Sequence, residues 1–181
     1  MLKNAKFAMG ALLLALIATP ASAQSWQCAP FARMFSGLQL FGNAYTWWQQ
    51  ATGKYDRGTA PKAGAVLVFK AAGAMRVGHV ATVSKVISDR VIEVTHANWS
   101  IINGRRGQVE RNVKVVDASA NGDWSKVKVW YAPIHGVGIK AYPVYGFIYG
   151  GAKAAAKAVR DADKALDDAA LAKVEQITSA G

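Results

Sequence analysis

Apolar positions along the chain change their spacing twice. From Cys28 onward, Phe31, Met34, Phe35 and Leu38 recur at helical intervals, with Pro30 where a first turn tolerates it and Gly37 placed to end the helix. Cys28 is thereby predicted at a helix N-terminus. A second short helix is predicted after Gly42 and Asn43, with Ala44, Trp47, Trp48 and Ala51 on one face and Gly53 as a stop. Beyond Pro61 the spacing becomes that of strands. AVLVF at 65–69 is a continuous apolar run suited to a buried strand, and HVATVSKVI and VIEVTHA flank the turn residues Ser88, Asp89 and Arg90 as a central hairpin. QVERNVKVV from 108 and VKVWYA from 127 predict two more strands, separated by the turn-rich SANGDWS. Helices followed by strands predict an α+β domain, with about five antiparallel strands packed on the two helices.

The flanks read differently. Lys3 and Lys6, the apolar run from Phe7 to Ala18 and the small residues Ala21, Ser22 and Ala23 make residues 1–23 an export signal, with Gln24 the first residue after cleavage. An exported location, periplasmic or secreted, is therefore expected, with no transmembrane segment left after cleavage. Residues 133–150, rich in Gly, Pro and Tyr, are expected to run over the surface as an extension, and 151–181 to form an Ala-rich helical tail. The thin apolar stripe of that tail suggests docking to a partner or self-association.

Charge narrows the class of partner. The formal net charge is +11, and the tail is neutral, with five basic and five acidic residues over 151–181. Between 24 and 150 there are 15 basic and six acidic residues, so the excess belongs to the domain. A polyanion such as a cell-wall polymer or anionic lipid is the expected partner, and nucleic acid suits an exported chain poorly. A single cysteine excludes an internal disulfide framework and a cysteine-based zinc site. With no H-E-x-x-H, calcium loop or phosphate-binding glycine loop, neither metal nor cofactor is expected. Asn103-Gly104-Arg105-Arg106-Gly107 reads as a solvated basic loop.

An unpaired thiol in an oxidising compartment asks for a reason: a buried inert side chain, an intermolecular bridge or catalysis. At a helix N-terminus, unpaired N–H groups favour the thiolate, and an imidazole nearby would favour it further. His79 opens one hairpin strand directly after Gly78, where a small residue lets another backbone or a substrate approach. His96 closes the next strand. Alternation, if the strand stays regular, puts Ile92, Val94, His96 and Asn98 on one face, so two polar side chains continue an apolar row. A hydrogen bond to His79 would satisfy one of them and fix the tautomer of the base. The plainer alternative is that both stitch a strand end to a loop.

Taken in order, Gln27-Cys28 at a helix start, GNAYTWW, PKAGAVLVF, GHVATV and HANW resemble the CHAP domain, the cysteine, histidine-dependent amidohydrolase/peptidase family, over about residues 24–132. The resemblance implies a papain-like fold, with Cys28 as nucleophile and His79 as base. It also implies cleavage of peptidoglycan amide bonds, as an N-acetylmuramoyl-L-alanine amidase or an endopeptidase. Relatives often carry an acidic residue where this chain has His96, with an asparagine two positions later, here Asn98. His96 is expected to orient His79 as a neutral acceptor, with activity falling as it protonates near pH 6.5, and Asn98 to brace the loop or the substrate side. The Cys28 backbone N–H, with Gln27 beside it, would hold the oxyanion, and Trp99 and Tyr45 would wall the groove. The competing expectation is a non-catalytic module that binds wall polymer or organises partners through the C-terminal helix.

Overall fold

The computed structural model describes residues 25–150 and Lys164. The expected signal segment and, apart from Lys164, the expected helical tail lie outside the described residues. The α+β class holds, but the sheet is larger than expected. Helix α1 covers Cys28–Ser36, a 3₁₀ turn covers Ala44–Thr46, and α2 covers Trp47–Gln50. Eight strands follow: β1 Asp56–Gly58, β2 Val66–Phe69, β3 His79–Ser88, β4 Val91–Ala97, β5 Val109–Asp117, β6 Lys126–Tyr131, β7 Gly136–Val137 and β8 Tyr142–Tyr149. They pair antiparallel in the order β1-β8-β2-β3-β4-β5-β6-β7. An additional β8–β6 pairing closes β2, β3, β4, β5, β6 and β8 into a barrel.

The expected surface course of 133–150 is wrong, and the reason is local. Pro143 and Gly146 interrupt the apolar alternation, and β8 carries an irregularity opposite Val68 and Phe69 that shifts its register against β2. Val144 and Phe147 therefore both reach the barrel interior although they are three residues apart, which a period of two does not anticipate. Gly146 has φ of +134°, and a Cβ there would lie 2.5 Å from the Gly58 carbonyl oxygen, so glycine is what lets β1 lie against β8.

Strand β2 is buried on both faces, which is why its sequence is apolar without alternation. Leu67 and Phe69 face the barrel interior with Ala81, Val83, Ile92 and Val94. Val66 and Val68 face outward with Val80 and Ile148, onto Ala29, Ala32, Leu38, Leu40 and Trp47. Helix α1 lies across β3 and β4. Its Phe31 and Phe35 stack and pack on Ala97, each contributing on the order of 2 kcal/mol and fixing where the helix begins. Gly37, in the left-handed conformation, ends α1 as expected by donating its N–H to the Arg33 carbonyl. Met34 does not join the core; it is exposed.

Gly78 fixes the approach of the 3₁₀ turn to β3. Its φ is +70°, and a Cβ would meet the Phe69 carbonyl oxygen and the Tyr45 backbone nitrogen, both at 2.8 Å. The neighbouring Tyr45 N–H donates to the Val77 carbonyl at 3.1 Å. Backbone strain and backbone overlap act together, so Gly78→Ala is expected to cost roughly 3 kcal/mol and lower Tm by roughly 10 °C. Thermal unfolding of the variant checks this; an unchanged Tm would mean that the turn is free to move away.

Candidate active site

A cleft of about 540 Å³ opens where α1 begins and β3 starts, with Gln27, Cys28, His79, Asn98, Trp99, Arg106 and Tyr142 among its lining. Cys28 is the first residue of α1, and its sulfur lies against the backbone N–H of Val80, the residue after His79. Burial pushes the thiol above its ordinary value, and the N–H groups of Val80, Ala29 and Cys28 itself pull it back only in part. The helix terminus and neighbouring imidazole expected to favour thiolate are thus outweighed by desolvation.

His79 and His96 meet as expected. Nε2 of His79 lies 3.0 Å from Nδ1 of His96, and both side chains are buried. Trp99 packs under the pair, 4.9 Å from the His79 ring and 5.7 Å from the His96 ring between centroids, and its indole N–H donates to the Trp130 carbonyl. Trp99 is therefore part of the cleft floor and of the barrel core at once. Burial lowers the pKa of His79 well below the ordinary histidine value, helped by the charges of His96 and Arg106. Burial alone takes His96 down to about 3. The expectation that His96 protonates near pH 6.5 is overturned, because burial would strip an imidazolium there of its water.

The tautomers follow from the contact. The His79–His96 bond occupies Nε2 of His79 and leaves Nδ1 for the cleft. For Nδ1 to accept a proton, His79 must carry its own on Nε2 and donate it to His96, whose remaining proton then sits on Nε2. That Nε2 is buried without a hydrogen-bond partner among the described residues, which costs about 1–3 kcal/mol.

Asn98 does not continue the row of His96. Strand β4 shifts register between Val94 and His96 and ends at Ala97, and Asn98 has φ of +67°. The turn swings its side chain to Gln27, where Nδ2 donates to Oε1 at 2.8 Å. With its oxygen so engaged, the Gln27 amide keeps its NH₂ free for the cleft. Tyr45 does not line the cleft; it serves Gly78 through its backbone. Arg106, read from sequence as solvated, lines the cleft and donates to the Trp99 carbonyl. Its position after β4, the strand that carries His96, was the available signal, since that loop returns past the cleft.

Two buried neutral histidines make stability depend on pH. Their pKa values are lower folded than unfolded, so the unfolded chain binds more protons below pH 6.5 and stability falls as pH drops from 6.5 toward 3. Each contributes a slope of about 1.4 kcal/mol per pH unit, so His96 alone is expected to cost about 2 kcal/mol by pH 5. Urea midpoints at pH 7.5, 6.5 and 5 check this, with His96→Gln expected to flatten the slope.

Among the described residues no helix is long and apolar enough to cross a membrane. A family model of the CHAP domain matches residues 19–98. Among solved structures, the chain is similar to an N-acetylmuramoyl-L-alanine amidase from Staphylococcus aureus at 23% identity and a TM-score of 0.42, covering 65% of this chain and 30% of that one. The chain thus spans less than a third of that amidase chain's length. No curated protein sequence matches it. The matched stretch, residues 19–98, takes in the cysteine, the two paired histidines and Asn98.

Proposed function

We propose that the chain is an exported cysteine amidohydrolase that cleaves amide bonds of peptidoglycan, as an N-acetylmuramoyl-L-alanine amidase or an endopeptidase. The observation that carries the reading is the thiol of Cys28 and the imidazole of His79 on one cleft, with His96 bonded to His79 behind it, within the stretch that matches the CHAP family model. We read the fold as papain-like, since a helix N-terminus brings the thiol to a strand that carries the imidazole. The export pattern over 1–23 and the excess of basic residues over 24–150 suit an anionic wall polymer outside the cytoplasm.

The resting pair is thiol and neutral imidazole, so proton transfer accompanies attack. Nδ1 of His79 takes the thiol proton as sulfur bonds to the amide carbonyl carbon, and the carbonyl oxygen gains the negative charge. The Cys28 backbone N–H and the Gln27 amide, held by Asn98, receive that oxyanion. As the intermediate collapses, the C–N bond breaks and His79 gives its proton to the leaving amine. Water then attacks the thioester, His79 takes the water's proton, and the thiol is restored as the acid leaves. His96 accepts from His79 throughout and holds its ring in place.

The rival reading, a wall-binding module without catalysis, is favoured by the raised thiol pKa alone. Dye-labelled sacculi separate the two. The purified chain is expected to release soluble label, and alkylating its single cysteine is expected to stop the release. Binding to sacculi without release would favour the module.

A further inference from the structure

The lining of the cleft includes two cations, Arg106 and Lys140, and no Asp or Glu. Among the described residues neither cation forms an ion pair with a carboxylate, whereas Arg90 pairs with Asp117. Arg106 is anchored, because its Nη1 donates to the Trp99 carbonyl, and Trp99 packs against His79. The guanidinium is therefore tied to the residue that floors the histidine pair, and its charge is felt at both His79 and Tyr142. Lys140 lines the same cleft, with Nζ 5.2 Å from the centre of the Tyr142 ring. Around them the walls are apolar: Met75, Val77, Val129, Ile134 and Ile139. Two unneutralised cations between apolar walls concentrate positive potential beside the reacting groups, and a guanidinium with one nitrogen fixed still offers donors to a planar anion.

We propose that Arg106 and Lys140 form a carboxylate-binding subsite, so that the chain acts on stem peptides with a free carboxylate beside the scissile amide and discriminates against amidated stems. This rests on the peptidoglycan reading above and adds the chemical form of the substrate. A carboxylate seated there would also offset the charge that depresses the basicity of His79, so the correct substrate strengthens its own base. An amidated stem would leave both cations unmatched and gain neither effect.

The test uses two muropeptides identical except that the stem carboxylates are free in one and carboxamides in the other. The purified chain is expected to cleave the free form with kcat/KM at least about tenfold higher, the size of one charge-assisted hydrogen bond. In Arg106→Gln with Lys140→Gln the ratio is expected to fall below about threefold, and Arg106→Lys should retain part of it. A merely structural role for Arg106 would lower both substrates alike and leave the ratio standing. Calorimetric binding of both muropeptides to the Cys28→Ala chain gives the same comparison without turnover, so it separates the two claims. If the chain hydrolyses neither muropeptide yet binds the free form more tightly through Arg106, the hydrolase reading fails and the subsite stands. Equal rates and equal affinities for the two forms would overturn the subsite whatever the activity.

Discussion

Replacing Cys28 with alanine is expected to lower amide hydrolysis at least about a thousandfold while leaving the barrel folded. No other cleft residue supplies a comparable nucleophile. Lys140 and the tyrosines Tyr131 and Tyr142 line the cleft, but burial raises the Tyr142 phenol further from ionisation, whereas Cys28 lies against the N–H groups at the start of α1. Folding should tolerate the change. Cys28 is buried with Ala29 and Ala32 of α1 and the outward-facing barrel residues Val66, Val68 and Val80, and losing one sulfur atom costs about 1 kcal/mol in a packed site of that kind. Label release from sacculi and thermal unfolding of the same preparation read both halves. Turnover within tenfold of the unaltered chain would remove Cys28 from the chemistry.

Substituting His96 is expected to have the next largest effect, on rate and stability together. In His96→Ala, His79 Nε2 loses its partner in a buried site and a ring-sized void opens beside Trp99, a combined cost on the order of 3 kcal/mol. The rate is expected to fall at least about tenfold, since a base free to turn presents Nδ1 only part of the time. His96→Glu distinguishes orientation from packing. A carboxylate against His79 would stabilise its imidazolium and, through it, the Cys28 thiolate, reversing the balance that burial now sets. Alkylation of the single cysteine at pH 7 is then expected to speed up at least about tenfold over the unaltered chain, whose buried thiol should titrate above the ordinary thiol value. Hydrolysis by the glutamate variant should exceed that of the alanine variant. If His96→Ala leaves the rate unchanged while Asn98→Ala abolishes it, the orienting role belongs to Asn98.

How much of this was legible in the sequence depended on whether an element had a regular period. Helix α1 with its stop at Gly37, the continuous apolar run of β2, and the β3–β4 hairpin marked by its turn residues each appear where expected. Strand β8 does not, because Gly146 and the register shift next to it break alternation, and the glycine there answers to the approach of Gly58 rather than to a turn. Strands β1 and β7 are too short for a period to exist. At the site, the meeting of His79 with His96 followed from two strand ends joined by a short turn. The course of Asn98 did not, since the irregularity in β4 and a left-handed residue decide it. Electrostatics was the least legible. Spacing places a thiol at a helix terminus, but only the packed barrel reveals that burial outweighs the local donors and takes His96 to about 3. Arg106 belonged to a loop whose composition reads as solvent-facing, and its role depends on where that loop returns.

Digestion of purified sacculi followed by mass spectrometry of the fragments tests the central claim most directly. The chain is expected to release fragments with new amine and carboxylate termini from a single type of amide bond, and the Cys28→Ala chain to release none. Intact sacculi after exposure to the unaltered chain, or fragments cut at glycosidic bonds, would contradict it.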